Sequence, residues 1–248
     1  MSGEHLLLGV AGTALTDEER ARFQSLQPGG FILFSRNIES PEQTRALTEE
    51  LRSFDELEPI IAIDQEGGRV TRTKDIAPVL PSAVELAHHG HVPSIADSGI
   101  LTADLLRLLG FNMNLGPVLD LDHHPGAQNA LRDRSWGRNP QRVIDRAGMW
   151  NRWMRKGPMA SCGKHFPAGG RAQTDPHHDL PGSSATIDEL LAEDILPYTA
   201  LMPELDAIML THVRFPKIDP DFPASLSRRI IQGLLRDQLG FDKHLVLT

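Results

Sequence analysis

Two short pairs in this chain have the residue types for acid, base or hydroxyl chemistry. Asp175 and His177 stand two residues apart, a carboxylate close enough to hold one nitrogen of an imidazole. The other nitrogen is then free to give or take a proton. A neighbouring carboxylate favours the imidazolium and raises its pKa towards neutrality, which suits a general acid. On spacing alone, an ordinary solvated loop is the commoner reading of that pair. Lys164 and His165 are adjacent and follow an apolar run, Pro158–Gly163. A lysine at a strand end is a fixed cation and a multiple donor for substrate hydroxyls or carbonyl oxygens. The plainer reading is a lysine reaching solvent and a histidine bonded to backbone.

Three further groups belong to the same inventory. Asp64 heads Asp64-Gln65-Glu66-Gly67-Gly68-Arg69-Val70-Thr71-Arg72, in which an acid, two glycines and two arginines follow a buried strand. The glycines permit close backbone approach or positive φ. Arg134, in Asp133-Arg134-Ser135-Trp136-Gly137, offers rigid bidentate donation. Trp136 can stack on a sugar face or simply pack. His88-His89-Gly90-His91 and His123-His124 read as surface clusters in loops. His165, His177, His178, His212 and Asp175 could be gathered around a metal, but their spacing fits no zinc motif, so no metal or cofactor is expected.

These residues need strands that end together. Strand-like runs occur at Leu6–Gly12, Gly29–Phe34, Pro59–Asp64, Asn112–Asp122, around Met159, Ala207–His212 and His244–Thr248. Helices are expected after Thr16, after Ser40 to about Phe54, over Ile95–Leu109, over Pro140–Arg155, after Thr186, and over Ser225–Leu239 with Gly240 just past its end. Strands apolar on both faces that alternate with helices mean a parallel α/β sheet. Seven strands with polar C-terminal ends favour a TIM-like (β/α)₈ barrel over an open sheet. No eighth strand is visible, so residues 1–248 are expected to form one catalytic barrel domain, truncated at its C-terminus after strand seven.

Composition narrows the partners. A formal charge of -8 argues against nucleic acid or an anionic membrane as the main surface. No segment is long and apolar enough to span a bilayer. The apolar run Leu6–Val10 has no basic residues ahead of it and reads as a strand rather than a signal peptide. Cys162 is the only cysteine, so no internal disulfide is possible, and a reducing, cytoplasmic setting is expected. Nothing in the sequence sets the oligomeric state.

Taken in order, several motifs resemble the family 3 glycoside hydrolases, and within them the β-N-acetylglucosaminidases of the peptidoglycan-recycling type. They are Ile63–Val70, Gly110–Leu115 with Pro117–Asp120, Asp133–Ser135, Lys164–Pro167, Asp175-x-His177 with Leu180-Pro181, and Pro223–Ser227. The resemblance implies removal of terminal β-linked N-acetylglucosamine, from muropeptides or related glycosides, with retention of configuration. It implies His177 as acid/base and Asp175 as its partner. Asp64, Arg72, Arg134, Lys164 and His165 would hold the sugar.

Histidine in the acid role is neutral after protonation of the leaving group, which leaves room for an anionic nucleophile. A GlcNAc phosphorylase on the same framework is therefore an alternative. Three positions depart from the family pattern. Ala168-Gly169-Gly170 stands for Gly-His-Gly, and Pro176 stands for serine between the dyad members. The family's nucleophile lies in an Asp-Asp-Leu turn directly after strand seven, which here ends at Thr248. These departures motivate a third reading, a catalytically silent sugar-binding relative.

Overall fold

Seven parallel strands follow one another across a single sheet in sequence order. The computed structural model describes residues 3–54, 58–89, 91–125, 130–172, 181–242 and 245–248. The first strands are β1 (Leu7–Gly9), β2 (Gly30–Leu33) and β3 (Ile60–Ile63). A small antiparallel hairpin, β4 (Gln65–Gly67) and β5 (Val70–Thr71), follows β3 directly. The sheet continues with β6 (Met113–Asn114), β7 (Ala160–Phe166), β8 (Ala207–Leu210) and β9 (Leu245–Leu247).

The inner strands bury both faces, while β1 and β9 at the sheet edges are only partly buried, and the period-two alternation sorts the residues between two cores. Leu8, Phe31, Leu33, Ile61, Ile63, Ile208 and Leu210 point outward into the large core shared with the helices. Leu7, Ile32, Ala62, Met113, Cys162, Met209 and Leu247 point inward to a second, smaller cluster. Leu7 on the first strand and Leu247 on the last line one cavity, so the sheet is strongly curled. Among the described residues no ladder joins β9 to β1, and the sheet has the seven strands expected from the sequence.

The helices begin where the sequence supplies caps. Thr16 and Glu19 form a reciprocal capping box at α1 (Asp17–Leu26), and Ser40 caps α2 (Pro41–Arg52), whose first residue is proline. Next come α3 (Ala83–His89) and α4 (Val92–Leu108). Asn139 caps α5 (Pro140–Lys156), and Thr186 caps α6 (Ile187–Ala192), which α7 (Leu196–Leu201) follows.

Five expectations from the sequence need correction. His88 and His89 are not in a loop but end α3, a helix announced by Ser82 and Glu85, which bond each other's backbone N–H groups. His123 is no surface residue, since its ring is 14% exposed and paired with Asp194. The strand expected over Asn112–Asp122 shrinks to Met113–Asn114, because Pro117 has no N–H to continue the ladder and only Val118 bridges again, to Lys164. The strand near Met159 runs on to Phe166, so Lys164 and His165 lie inside it. The helix expected from Ser225 is instead a 3₁₀ turn, Ala224–Leu226, then a π-helix, Arg229–Gln238, although Gly240 does follow with a φ of 76°.

Candidate active site

A cavity of about 760 Å³ opens at the C-terminal ends of β3, β7 and β8. Asp64, Arg72, Arg134, Lys164 and His165 all line it, so five residues singled out from the sequence meet in one place. Asp175 and His177 lie outside the described residues.

Lys164 is the centre of the site. Its side chain is 1% exposed, and its ammonium sits 2.7 Å from Asp64 Oδ1 and 2.5 Å from Glu66 Oε1. Burial opposes the charge on Lys164, but the two carboxylates outweigh it and raise its pKa. The lysine therefore stays an ammonium and does not reach solvent. Asp64 also accepts from Arg72 Nη2 at 3.2 Å. Burial works against its ionisation too, yet Lys164 and Arg72 hold it below the usual carboxylate range.

Glu66, which the sequence reading did not place in the site, ties two of these cations together. Arg134 donates to it through Nε and Nη2, both at 2.8 Å, in the bidentate geometry that guanidinium favours. Burial disfavours the Glu66 anion, but Lys164 and Arg134 more than compensate and keep its pKa far below the ordinary 4.5. Glu66 sits in the hairpin because Gln65 anchors both arms. The Gln65 side chain bonds Thr73 Oγ1 and accepts from the backbone N–H of Arg72, which aims that arginine at Asp64. Gly67 turns the hairpin at a φ of 93°, and a Cβ there would sit 2.3 Å from the carbonyl oxygen of Pro81.

Asp120 is the second residue missed. It is 2% exposed, and its Oδ2 lies 2.7 Å from His165 Nδ1. Burial, helped by the Arg134 and Lys164 charges, pushes the His165 pKa down despite this carboxylate, which favours the neutral ring. Both missed acids fall within the motifs that carry the family resemblance. Sequence position alone gave no sign of what they bond.

A bulge explains how Lys164 and His165 share one cavity. Adjacent residues of a strand normally point to opposite faces. Here Lys164 pairs with Met209 and Phe166 with Leu210, so β7 spends one extra residue, His165. Ala160 and Cys162 belong to the inner face, in step with Lys164, while Phe166 drops into the outer core against Tyr198. The irregularity re-aims a side chain next to a site, as bulges often do.

Other candidates are resolved as follows. His212 lines the cavity, held by Ser225 Oγ at 2.8 Å. Trp136 is 3% exposed in the outer core, so it packs rather than facing the cavity. His123, Glu193 and Asp194 bring possible metal-ligand atoms within 4.8 Å of one another. Arg171 already bonds both of those carboxylates, at 2.7 and 3.3 Å, so a metal would have to displace a guanidinium.

The chain is similar to known proteins over nearly its whole length. A "Beta-hexosaminidase" of Pseudomonas aeruginosa is 37% identical over 96% of this chain and 70% of its own length. NagZ from Neisseria gonorrhoeae, solved in complex with N-trifluoroacetyl-D-glucosamine, superposes with a TM-score of 0.90 at 34% identity, covering 98% of this chain and 72% of that one. A glycoside hydrolase family 3 β-N-acetylglucosaminidase from Paenibacillus sp. str. FPU-7 gives 0.92 at 32% identity, covering 99% and 48%. Residues 4–246 match the glycosyl hydrolase family 3 N-terminal domain, and the chain belongs to that family.

Proposed function

We propose that this chain forms the catalytic barrel domain of a retaining exo-β-N-acetylglucosaminidase that removes terminal β-linked GlcNAc from muropeptides or related glycosides. The observation that carries the reading is the charge balance of the cavity. At its wall Lys164, Arg72 and Arg134 are paired with Asp64 and Glu66, Asp120 backs His165, and the guanidinium of Arg69 bonds the carbonyls of Ala130 and Arg132. Such a site offers many fixed hydrogen-bonding groups and little net charge, which suits a neutral polyhydroxylated ring better than an anion. Relatives named for hexosaminidase activity, and one solved with a GlcNAc derivative, support the same substrate.

Retention needs two groups. A carboxylate attacks the anomeric carbon while an acid protonates the leaving oxygen, and the same acid then acts as base towards water. In this reading His177 is the acid/base and Asp175 holds it. In the family resemblance the attacking carboxylate is an aspartate of the turn that follows strand seven. A cytoplasmic setting is supported by a single cysteine, Cys162, which is buried and unpaired and whose thiol burial pushes up to about 12. No helix among the described residues is long and apolar enough to cross a membrane.

The test uses the full-length protein with aryl β-GlcNAc and aryl β-glucoside substrates, in phosphate and in phosphate-free buffer. Release from β-GlcNAc with free sugar as product is expected. Turnover of the glucoside alone would remove the specificity, and sugar 1-phosphate would make the enzyme a phosphorylase. His177→Ala is expected to lower kcat by about 10²–10⁴-fold, and an unchanged rate would take His177 out of the acid role.

A further inference from the structure

Asp120 is more than a neighbour of His165. Its Oδ2 accepts the backbone N–H of His165 at 3.1 Å, and its Oδ1 accepts that of Gly170 at 3.2 Å. With both oxygens already receiving N–H groups, the carboxylate acts as an acceptor. The imidazole nitrogen 2.7 Å away must then be its donor, so the proton of the neutral ring sits on Nδ1. Nε2 is left as a bare lone pair on a side chain 22% exposed that lines the cavity. Two glycines bring the loop this close. A Cβ on Gly169 would stand 3.0 Å from both Asp120 oxygens, and one on Gly170 would stand 2.0 Å from the carbonyl oxygen of Leu121.

Acceptors on the cavity wall are mostly engaged: Asp64 already takes Lys164 on Oδ1 and Arg72 on Oδ2, and the His212 ring is held by Ser225 Oγ. Lys164, Arg72 and Arg134 are donors only, and the Glu66 oxygens are occupied by Arg134 and Lys164. Every sugar hydroxyl brings a proton that needs an acceptor, and burying it unsatisfied costs about 1–3 kcal/mol.

We propose that Asp120 is a positioning residue that locks His165 in the Nδ1–H tautomer, so that Nε2 accepts a hydrogen bond from one hydroxyl of the bound sugar. The inference rests on the glycosidase reading for its ligand, but its first half can be tested without any activity. In a ¹⁵N–¹H long-range correlation spectrum at pH 7, His165 should show a protonated Nδ1 and a bare Nε2, assigned by loss of the signals in His165→Gln. An Nε2–H tautomer or an imidazolium would overturn the proposal.

The second half reads on specificity. Aryl β-GlcNAc substrates carrying fluorine for hydroxyl at carbon 3, 4 or 6 keep an acceptor and lose the donor. Wild type should discriminate against one of the three by about tenfold or more in kcat/KM, the scale of one lost hydrogen bond. Asp120→Asn presents an amide that can donate to Nδ1 and drive the proton to Nε2. The variant should lose the discrimination at that one position to within about threefold and keep it elsewhere. Thermal unfolding in parallel shows whether the variant is folded. Discrimination at no position in wild type, or the same pattern in folded Asp120→Asn, would overturn the assignment. Absence of any glycosidase turnover would sink the functional reading instead and leave the tautomer result standing.

Discussion

Two clusters in this molecule are built from the same kinds of group and do different work. One comprises Lys164, Asp64, Glu66, Arg134 and Arg72; the other comprises His123, Asp194, Arg171 and Glu193. In each, a buried acid is shared between two basic side chains, Glu66 by Lys164 and Arg134, Asp194 by His123 and Arg171. Charge density does not separate them. The first sits at the strand ends and faces the cavity. The second staples the loop after Asp122 and the 3₁₀ turn Gly169–Arg171 to the end of α6, and its members do not line that cavity. An ion cluster becomes a site when an open volume adjoins it; closed against its own chain, it is a fastener.

The contrast breaks most sharply at Lys164. Lys164→Met leaves Asp64 and Glu66 without their shared cation, and removing one partner of a buried pair typically costs about 3–5 kcal/mol. We expect kcat/KM on aryl β-GlcNAc to fall by about 10³-fold or more in the protein that remains folded. Activity within tenfold of wild type would mean that the cavity is not where the sugar reacts.

Glu66→Gln comes next, with a loss of about 10²-fold as Lys164 and Arg134 lose their common anchor. It also carries a pH signature. The folded chain holds the Glu66 carboxyl below its ordinary 4.5, so this acid contributes stability above about pH 4.5 that is lost as pH falls towards its folded value. The Tm of wild type should drop more steeply than that of Glu66→Gln between pH 5 and 3. Parallel curves would deny Glu66 its ion pairs.

Arg72→Lys keeps the charge but loses the flat, forked donor. An increase in KM of about fivefold to tenfold with kcat nearly unchanged is expected, because the contact to Asp64 positions and does not react. The smallest effect on activity belongs to the fastener. Arg171→Met should lower stability by about 1–3 kcal/mol, since Asp194 keeps only His123, while kcat/KM stays within about twofold. A tenfold loss there would erase the distinction between the two clusters.

How much of this could be read in advance follows the same division. The strand ends were legible because short apolar runs closing on Asp64 or His212 are local patterns. Lys164, Arg72 and Arg134 were legible through ordered motifs. Glu66 was visible but unassigned, because its value comes from Lys164 nearly a hundred positions away, and no spacing rule reaches that far. Asp120 was hidden for the same reason, its partners lying on β7 and in the glycine turn. Helix α3 is announced by the capping-box spacing of Ser82 and Glu85, but the histidine cluster at its end has the composition of a loop. The extent of β7 could not be foreseen from hydropathy, since a lysine and a histidine in mid-strand look like a strand's end until the cavity that receives them is known.

The extra residue in β7 also makes the strand's reading frame a property that can be inherited. Removing one codon elsewhere in the strand would put the residues on either side of the lesion out of step, turning Phe166 towards the cavity or Lys164 away from it, whereas loss of His165 alone would keep their phase and remove only its side chain. No substitution restores that phase, whereas a compensating one-codon insertion nearby can. Loss-of-function variants here should therefore fall into two genetic classes, point changes rescued by reversion and length changes rescued by a second length change. Ala160 to Phe166 is where the second class should concentrate.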